Sequence, residues 1–316
     1  MNILLTGATG FIGSSILSSA KSLGINLRTV IREGAHPTNN SNFKDPVIVS
    51  SIDGETDWHD ALVGVNIVIH CAARAHIMHD LVDDPLAEYC KVNVSGTLNL
   101  ARQSVLAGVK RFIFLSTIKV NGSHTQTGNK FKSEDIPNPE DAYAISKFEA
   151  EQLLLELSAK TGIEVVIIRP PLVYGRGVKA NFQSLMKLVC NGLPLPLAAV
   201  NDNRRSLVGV DNLVDLIITC INHPAAANQV FLVSDDEDLS TAELLNRMYK
   251  ANGTPNRLFT LPLWFLNLCA TMINRKSLYA RLCGSLQVDI CKSKELLGWT
   301  PPVSVDEGLR RAFGRH

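Results

Sequence analysis

The chain has 316 residues, 46% of them hydrophobic, and its 31 Lys and Arg almost balance 30 Asp and Glu, leaving a formal charge of +1. That length can hold one large domain or two modest ones with ample core, and so small a net charge supplies no field for nucleic acid or an anionic membrane, so small-molecule work is the expected role. Seven cysteines without a CxxC pair or regular spacing exclude a disulfide framework or a zinc site and read as reduced, mostly buried thiols of a cytoplasmic protein.

The first fifteen residues, MNILLTGATGFIGSS, lack a basic n-region, an uninterrupted apolar segment and a cleavage site, so they read as part of the mature chain. Ile3 to Leu5 predicts a short buried strand. GATGFIG predicts a turn into a helix carrying Ile12, Ile16, Leu17 and Ala20 at helical spacing. Glycines there let the backbone approach an anion, and the helix start offers unpaired amides and a favourable dipole; a plain strand-to-helix turn is the alternative.

INLRTVIRE predicts a second strand, residues 35 to 45 a polar loop, and 47 to 50 and VNIVIHCAA (65 to 73) two further strands. Pro85 to Ala107 predicts one helix. The strand RFIFLS, a loop, a helix from Asp141 to Lys160 and the strand EVVIIRP follow. Strands alternating with helices in this way predict an α/β chain with a doubly wound parallel sheet of the Rossmann type, its ligand beyond the carboxyl ends of the strands. The second half is less regular. Loops around 175 to 200, the strand QVFLVS and helices near 240 to 250 and 258 to 273 predict a smaller mixed lobe. Residues 1–169 with 207–234 are expected to bind the dinucleotide, and 170–206 with 235–316 the substrate.

LFTLPLWFLNLCATMI, residues 258 to 273, is too short to span a bilayer and is interrupted by Pro262 and Asn267. A helix packed on its own domain is the expectation, docking on a membrane surface the alternative. No integral membrane span is expected. His76 and His79 lack acidic or cysteine partners at ligand spacing, so no metal site is expected.

Thr117 stands just after the strand FIFLS, and YAISK brings Tyr143 and Lys147 four apart onto one helix face. A nearby ammonium favours phenolate and lowers a tyrosine pKa, which suits it to proton exchange near neutral pH. The Thr117 hydroxyl could orient the same reacting oxygen.

With GATGFIG, HCAA after the fourth strand, LST after the fifth, YAISK on the next helix and RPPLVYG after the sixth, nearly the whole chain resembles the extended short-chain dehydrogenase/reductase family, in its branch of nucleotide-sugar epimerases, dehydratases and reductases. The resemblance implies a cofactor pyrophosphate turn at Gly7, Gly10 and Gly13 with Phe11 and Ile12 between them, and catalytic positions at Thr117, Tyr143 and Lys147. It further implies that Lys147 binds the nicotinamide ribose, that Ala72 and Ala73 line the cofactor, that Pro170 and Val173 lie near the nicotinamide, and that Asn93 belongs to a helix supporting the site.

Family members that dehydrate the sugar carry Asp-Glu after the Thr; Ile118 and Lys119 occupy those positions, which argues against dehydration. Asn121, in VNG where many epimerases have YG, leaves the sugar pocket's shape open. The second strand ends in Ile31 and Arg32 rather than an acid, and a guanidinium there could pair with the 2'-phosphate of NADP; NADP or NAD is the expected cofactor, NADPH favoured. By the same resemblance Asn181 and Arg205 would hold a nucleotide diphosphate, Arg281 is a second candidate, and Leu195 and Leu197 would sit near a uracil base.

The implied enzyme acts at C4 of a UDP-linked sugar as a cytoplasmic homodimer. The first reading is a 4-keto reductase, such as one forming UDP-N-acetylquinovosamine; the alternatives are a 4-epimerase of a UDP-hexose or UDP-N-acetylhexosamine with retained NAD, and a non-catalytic dinucleotide sensor or scaffold.

Overall fold

The computed structural model describes residues 1–34, 45–75, 84–126, 128–272 and 274–314, so most of the predicted 35–45 loop, and His76 and His79, lie outside the described residues. The strands in chain order are β1 (Ile3–Thr6), β2 (Leu27–Arg32), β3 (Val47–Val49), β4 (Ile67–His70), β5 (Arg111–Leu115), β6 (Glu164–Arg169), β7 (Leu172–Tyr174), β8 (Arg205–Gly209), β9 (Gln229–Leu232) and β10 (Asp238–Leu239). The helices are α1 (Phe11–Ser22), α2 (His59–Leu62), α3 (Pro85–Cys90), α4 (Thr97–Leu106), α5 (Ala142–Thr161), α6 (Ala180–Cys190), α7 (Val210–Asn222), α8 (Thr241–Asn252), α9 (Leu263–Met272), α10 (Lys276–Cys283), α11 (Cys291–Leu297) and α12 (Val305–Ala312).

Seven strands form one sheet in the order β3-β2-β1-β4-β5-β6-β9, every pair parallel. Ile3 pairs with Leu27 and Ile67, Ile67 with Arg111, and Arg111 with Glu164, so the central strands start level and finish along one rim. Successive side chains alternate between two cores. Ile3, Leu5, Ile67, Ile69, Ile113 and Ile168 face one cluster with α7 residues such as Leu213 and Ile217, whereas Leu4, Val68, Phe112, Phe114, Val165 and Ile167 face another with Trp58, Leu100 and Leu154. Both faces being covered explains why these strands read as unbroken apolar runs. The rest is a three-stranded sheet, β10-β8-β7, parallel between β7 and β8 and antiparallel between β8 and β10, beside a third core of Tyr174, Phe182, Leu207, Leu245 and Leu309.

Several expectations change in detail. The predicted helix from Pro85 to Ala107 is one rod, but its middle turn, Lys91–Gly96, is wound as a π-helix. Residues 258 to 262 are not helical: Leu258 bridges to Leu195, and helix begins only at Leu263. That helix contains no fully buried residue: Leu266 packs partly on the lobe core and α10 lies alongside, so the expected packing on its own domain is only partial. The described cysteines are free, but only Cys220 is fully buried, while Cys190 and Cys291 are exposed at a helix end and a helix start; the remainder are half-buried.

Candidate active site

At the carboxyl end of β1 the chain must turn at once into α1, and Gly7 does so at φ +72°, where a Cβ would stand 2.6 Å from Ala72 N. A Cβ on Gly13 would meet Gly7 O at 2.1 Å, so only glycine lets the helix start directly over the turn. Gly10 caps α1 without a side-chain hydrogen bond, and its first turn holds no acid. This helix start lies at the sheet rim beside β1 and β4, where the strand order runs outward in both directions, the place in such sheets for an anionic ligand. These residues therefore fit a dinucleotide pyrophosphate. Ala72 is half-buried and Ala73 exposed on the same rim. Ile12 and Phe11 are half-buried, the Phe11 ring reaching within 3.5 Å of the Cβ position of Gly175. Arg32 ends β2 with its side chain exposed, followed by exposed Glu33.

Along the same rim, Thr117 follows β5 and caps a short 3-10 turn, its Oγ1 accepting from Lys119 N at 3.3 Å. Ile118 N donates to Pro170 O at 2.9 Å, tying this turn to the end of β6, and half-buried Val173 lies in β7 just beyond. Ile118 is buried, and Lys119 Nζ pairs with Asp141 Oδ2 at 2.5 Å. The two positions that would carry dehydrating acids thus hold a core side chain and a cation already engaged.

Asp141 also caps α5, accepting from Ala144 N at 2.7 Å, and so fixes the helix that presents Tyr143 and Lys147. The Tyr143 ring packs 6.0 Å from that of Tyr89, over which the Arg74 guanidinium lies at 5.6 Å. Lys147 is buried, with Nζ 3.8 Å from the Phe114 ring centroid. Burial pushes its pKa down to about 7 against the upward pull of Glu151 and then Cys71. Tyr143 departs from expectation: burial, then the charges of Asp141 and Tyr89, push the phenol above its ordinary value. Burial is the foremost cause, and the ammonium itself lies against the Phe114 ring.

A Lys held near pKa 7 in the folded chain and about 10.4 unfolded costs stability at every pH below 7, and the cost fades between those values, where the folded chain has released a proton that the unfolded chain still binds. Lys147→Met is therefore expected to be more stable than the parent at pH 6, with the difference shrinking by pH 10, as read by urea denaturation of cofactor-free protein.

Asn93, in the π-helical turn, accepts from Arg74 N at 2.8 Å and donates to Arg74 O at 3.1 Å and to Ser146 Oγ at 3.0 Å. It therefore clamps the chain after β4 to the helix of Tyr143 and Lys147, and the extra turn residue is a device often met at functional sites. Behind it lies a network that no sequence spacing suggested. Arg169 is buried and gives Nε to Glu151 Oε1 at 3.0 Å and Nη2 to Oε2 at 2.5 Å, while Nη1 reaches Asn121 Oδ1 at 2.9 Å. Ser116 Oγ donates to the same carboxylate, and Asn121 Nδ2 donates to Lys132 O at 2.8 Å. Asn121 is thus a buried connector that sets the loop after Thr117. His70 is equally hidden, between Thr6 Oγ1 at 2.7 Å and Thr97 Oγ1 at 3.0 Å, and burial, with the Lys147 charge adding, pushes it down to about 3.

Arg205 and Arg281 come together across the lobe. Arg205 Nη1 donates to Arg281 O at 2.9 Å and Gly284 O at 3.1 Å, and burial followed by the Arg281 charge pushes its pKa down. The Arg281 charge also acts on Asp141, so this pair of cations stands within reach of the Tyr143 helix. Leu195 and Leu197 are core residues of the lobe, their side chains packed rather than open. Asn181 stands at the second position of α6, and its side chain is outside the described part.

The model of the NAD dependent epimerase/dehydratase family matches residues 3–234. The chain belongs to that family. A UDP-glucose 4-epimerase of Vibrio cholerae is 47% identical over 310 residues, covering 98% of this chain and 94% of that protein. An N-acetyl-alpha-D-glucosaminyl-diphospho-ditrans,octacis-undecaprenol 4-epimerase of Escherichia coli O157:H7 is 26% identical over 99% of this chain and 94% of its own length. In fold, the chain is similar to the UDP-glucose 4-epimerase of Thermotoga maritima solved with UDP-glucose, at a TM-score of 0.77 and 23% identity over 99% of this chain and 98% of that one. This member of the NAD dependent epimerase/dehydratase family is thus an NAD(P)-dependent enzyme whose glycine turn and Thr117, Tyr143 and Lys147 share one sheet rim.

Proposed function

We propose that the protein is a 4-epimerase of a UDP-linked hexose that keeps NAD bound through each turnover. The observation that carries this reading is the 47% identity, over nearly the full length of both chains, with the Vibrio cholerae UDP-glucose 4-epimerase. The engaged state of Lys119 supports it by removing the dehydration route. The 4-keto reductase reading gives way because it leaned on Arg32 as a selector of NADPH. Arg32 is an exposed strand-end side chain, and exposure there does not by itself select NADPH over NAD.

The chemistry that NAD supplies when bound is reversible hydride exchange with C4. Tyr143 takes the proton of the C4 hydroxyl as the carbonyl forms and returns it when the carbonyl is reduced. Thr117 holds the same oxygen by its hydroxyl. Lys147 would hold the nicotinamide ribose and supply the positive charge that favours the phenolate which proton removal requires. Arg205 and Arg281 hold the diphosphate, leaving the keto-sugar free to present either face.

Purified protein given UDP-galactose without added cofactor should form UDP-glucose, followed by NMR, and denaturation should release NAD. Net loss of reduced-nicotinamide absorbance with a UDP-4-keto sugar, and no interconversion of hexoses, would overturn the epimerase in favour of the reductase. Arg205→Ala is expected to weaken UDP binding by about 1.5 to 3 kcal/mol, the worth of a charge-assisted hydrogen bond, with cofactor content unchanged. Calorimetry with UDP alone checks it, and unaltered affinity would move the diphosphate elsewhere.

A further inference from the structure

The helix α9, LWFLNLCATM, is apolar at all positions but Asn267 and Thr271 and yet has no buried residue. Apolar surface left uncovered to that extent marks a contact face. Ten residues rise only about 15 Å, half of a bilayer core of about 30 Å, and no helix among the described residues is long and apolar enough to cross a membrane. Its most exposed apolar residues, Trp264 at 69%, Leu268 at 48% and Met272 at 78%, stand four apart and form one outward stripe, with Phe265 edge-on to Trp264. Only Leu266 packs partly on the lobe core, and α10 lies alongside.

The surrounding charge says what covers this stripe. From Leu244 to Val288 the chain has six basic residues and no acidic one. Arg247 is engaged by Glu237 and Asp306, whereas Arg257, Arg275, Lys276 and Arg281 are exposed on the segments that lead into α9 and away from it. A second copy docked face to face would set like charges together. Anionic head groups complement them, and exposed Trp and Phe are the side chains that settle at the lipid boundary.

We propose that α9 is a docking surface for an anionic lipid bilayer, with Trp264, Phe265, Leu268 and Met272 seated in the interface and Arg275 and Lys276 on the head groups. The surface adjoins the diphosphate cations: Phe259, just before it, pairs by backbone with Leu195, and Arg281, just after it, accepts from Arg205 through its carbonyl. Docking does not depend on which sugar reaction the enzyme performs.

Sedimentation with vesicles of phosphatidylethanolamine and phosphatidylglycerol (about 3:1), against phosphatidylcholine alone, tests the proposal at low salt. Trp58 and Trp299 are buried, so a blue shift of emission on adding vesicles reports on Trp264. The whole chain is expected to pellet with the anionic vesicles only, with that blue shift. The double variant Trp264→Ser/Phe265→Ser should remain in the supernatant, and Arg275→Ser/Lys276→Ser, which leaves the apolar stripe intact, should partition on the order of tenfold more weakly. No binding to anionic vesicles, or equal binding by the parent and both variants, would overturn it. So would a dimer in ultracentrifugation that Trp264→Ser/Phe265→Ser dissociates, since a second copy would then cover α9.

Discussion

Tyr143→Phe is expected to lower kcat by about a hundredfold or more, with NAD content unchanged. The substitution removes one hydroxyl and leaves the ring in its contact with Tyr89. Burial, Asp141 and Tyr89 hold the phenol protonated through neutral pH, so in the proposed epimerase it is ready to give a proton to C4 oxygen but needs the Lys147 charge to take one. Both directions of an epimerase turnover fail together when the hydroxyl is lost. Rapid-mixing kinetics should show slow hydride exchange as well as slow overall interconversion; turnover at the parent rate would remove Tyr143 from the mechanism.

Glu151→Ala should be the most damaging change to stability, at about 3 to 5 kcal/mol, the usual result of stranding one partner of a buried ion pair. Arg169 would keep only Asn121 among its side-chain partners, and Ser116 would lose its acceptor. Because Glu151 is the foremost upward influence on Lys147, its loss should also let the Lys147 pKa fall below 7. Urea denaturation measures the first effect. Glu151→Gln, which keeps an acceptor for Arg169 but not the charge, should lose less stability while still lowering the Lys147 pKa, read by NMR of the lysine side chain. If both variants are as stable as the parent, the network does not brace the site.

The parts of the site legible in the sequence are those whose chemistry is local. Gly7 and Gly13 are demanded by a turn only a few residues long, their close contacts falling on Cys71, Ala72 and the turn itself, and Gly10 sits tightly over Gly7 O. Tyr143 and Lys147 share a face because helix geometry puts residues four apart together. The parallel sheet was equally readable, since strands covered on both faces must be apolar throughout. Arg205 and Arg281 were each singled out, but their adjacency comes from the packing of α10 beside the start of β8.

Other features have no local signature. Arg169 finds Glu151 and Asn121 only when β6, α5 and the loop after Thr117 meet, and Lys119 finds Asp141 by the same convergence. Leu195 and Leu197, which the family resemblance sets near a uracil base, are packed in the lobe core, because burial depends on what packs above them. The pKa of Tyr143 lies opposite to the reading from spacing, since burial and the Asp141 and Tyr89 charges outweigh a lysine four residues along the helix. The net charge of +1 averages away a basic stretch without acids that matters only beside an uncovered apolar helix. The sequence by itself determined the backbone turns, the strand and helix periods and the residue types available for proton and anion chemistry. Which buried charges pair, which apolar surfaces are left open and where each ammonium points were decided by tertiary structure alone, because desolvation and Coulomb interactions depend on distance through space rather than along the chain.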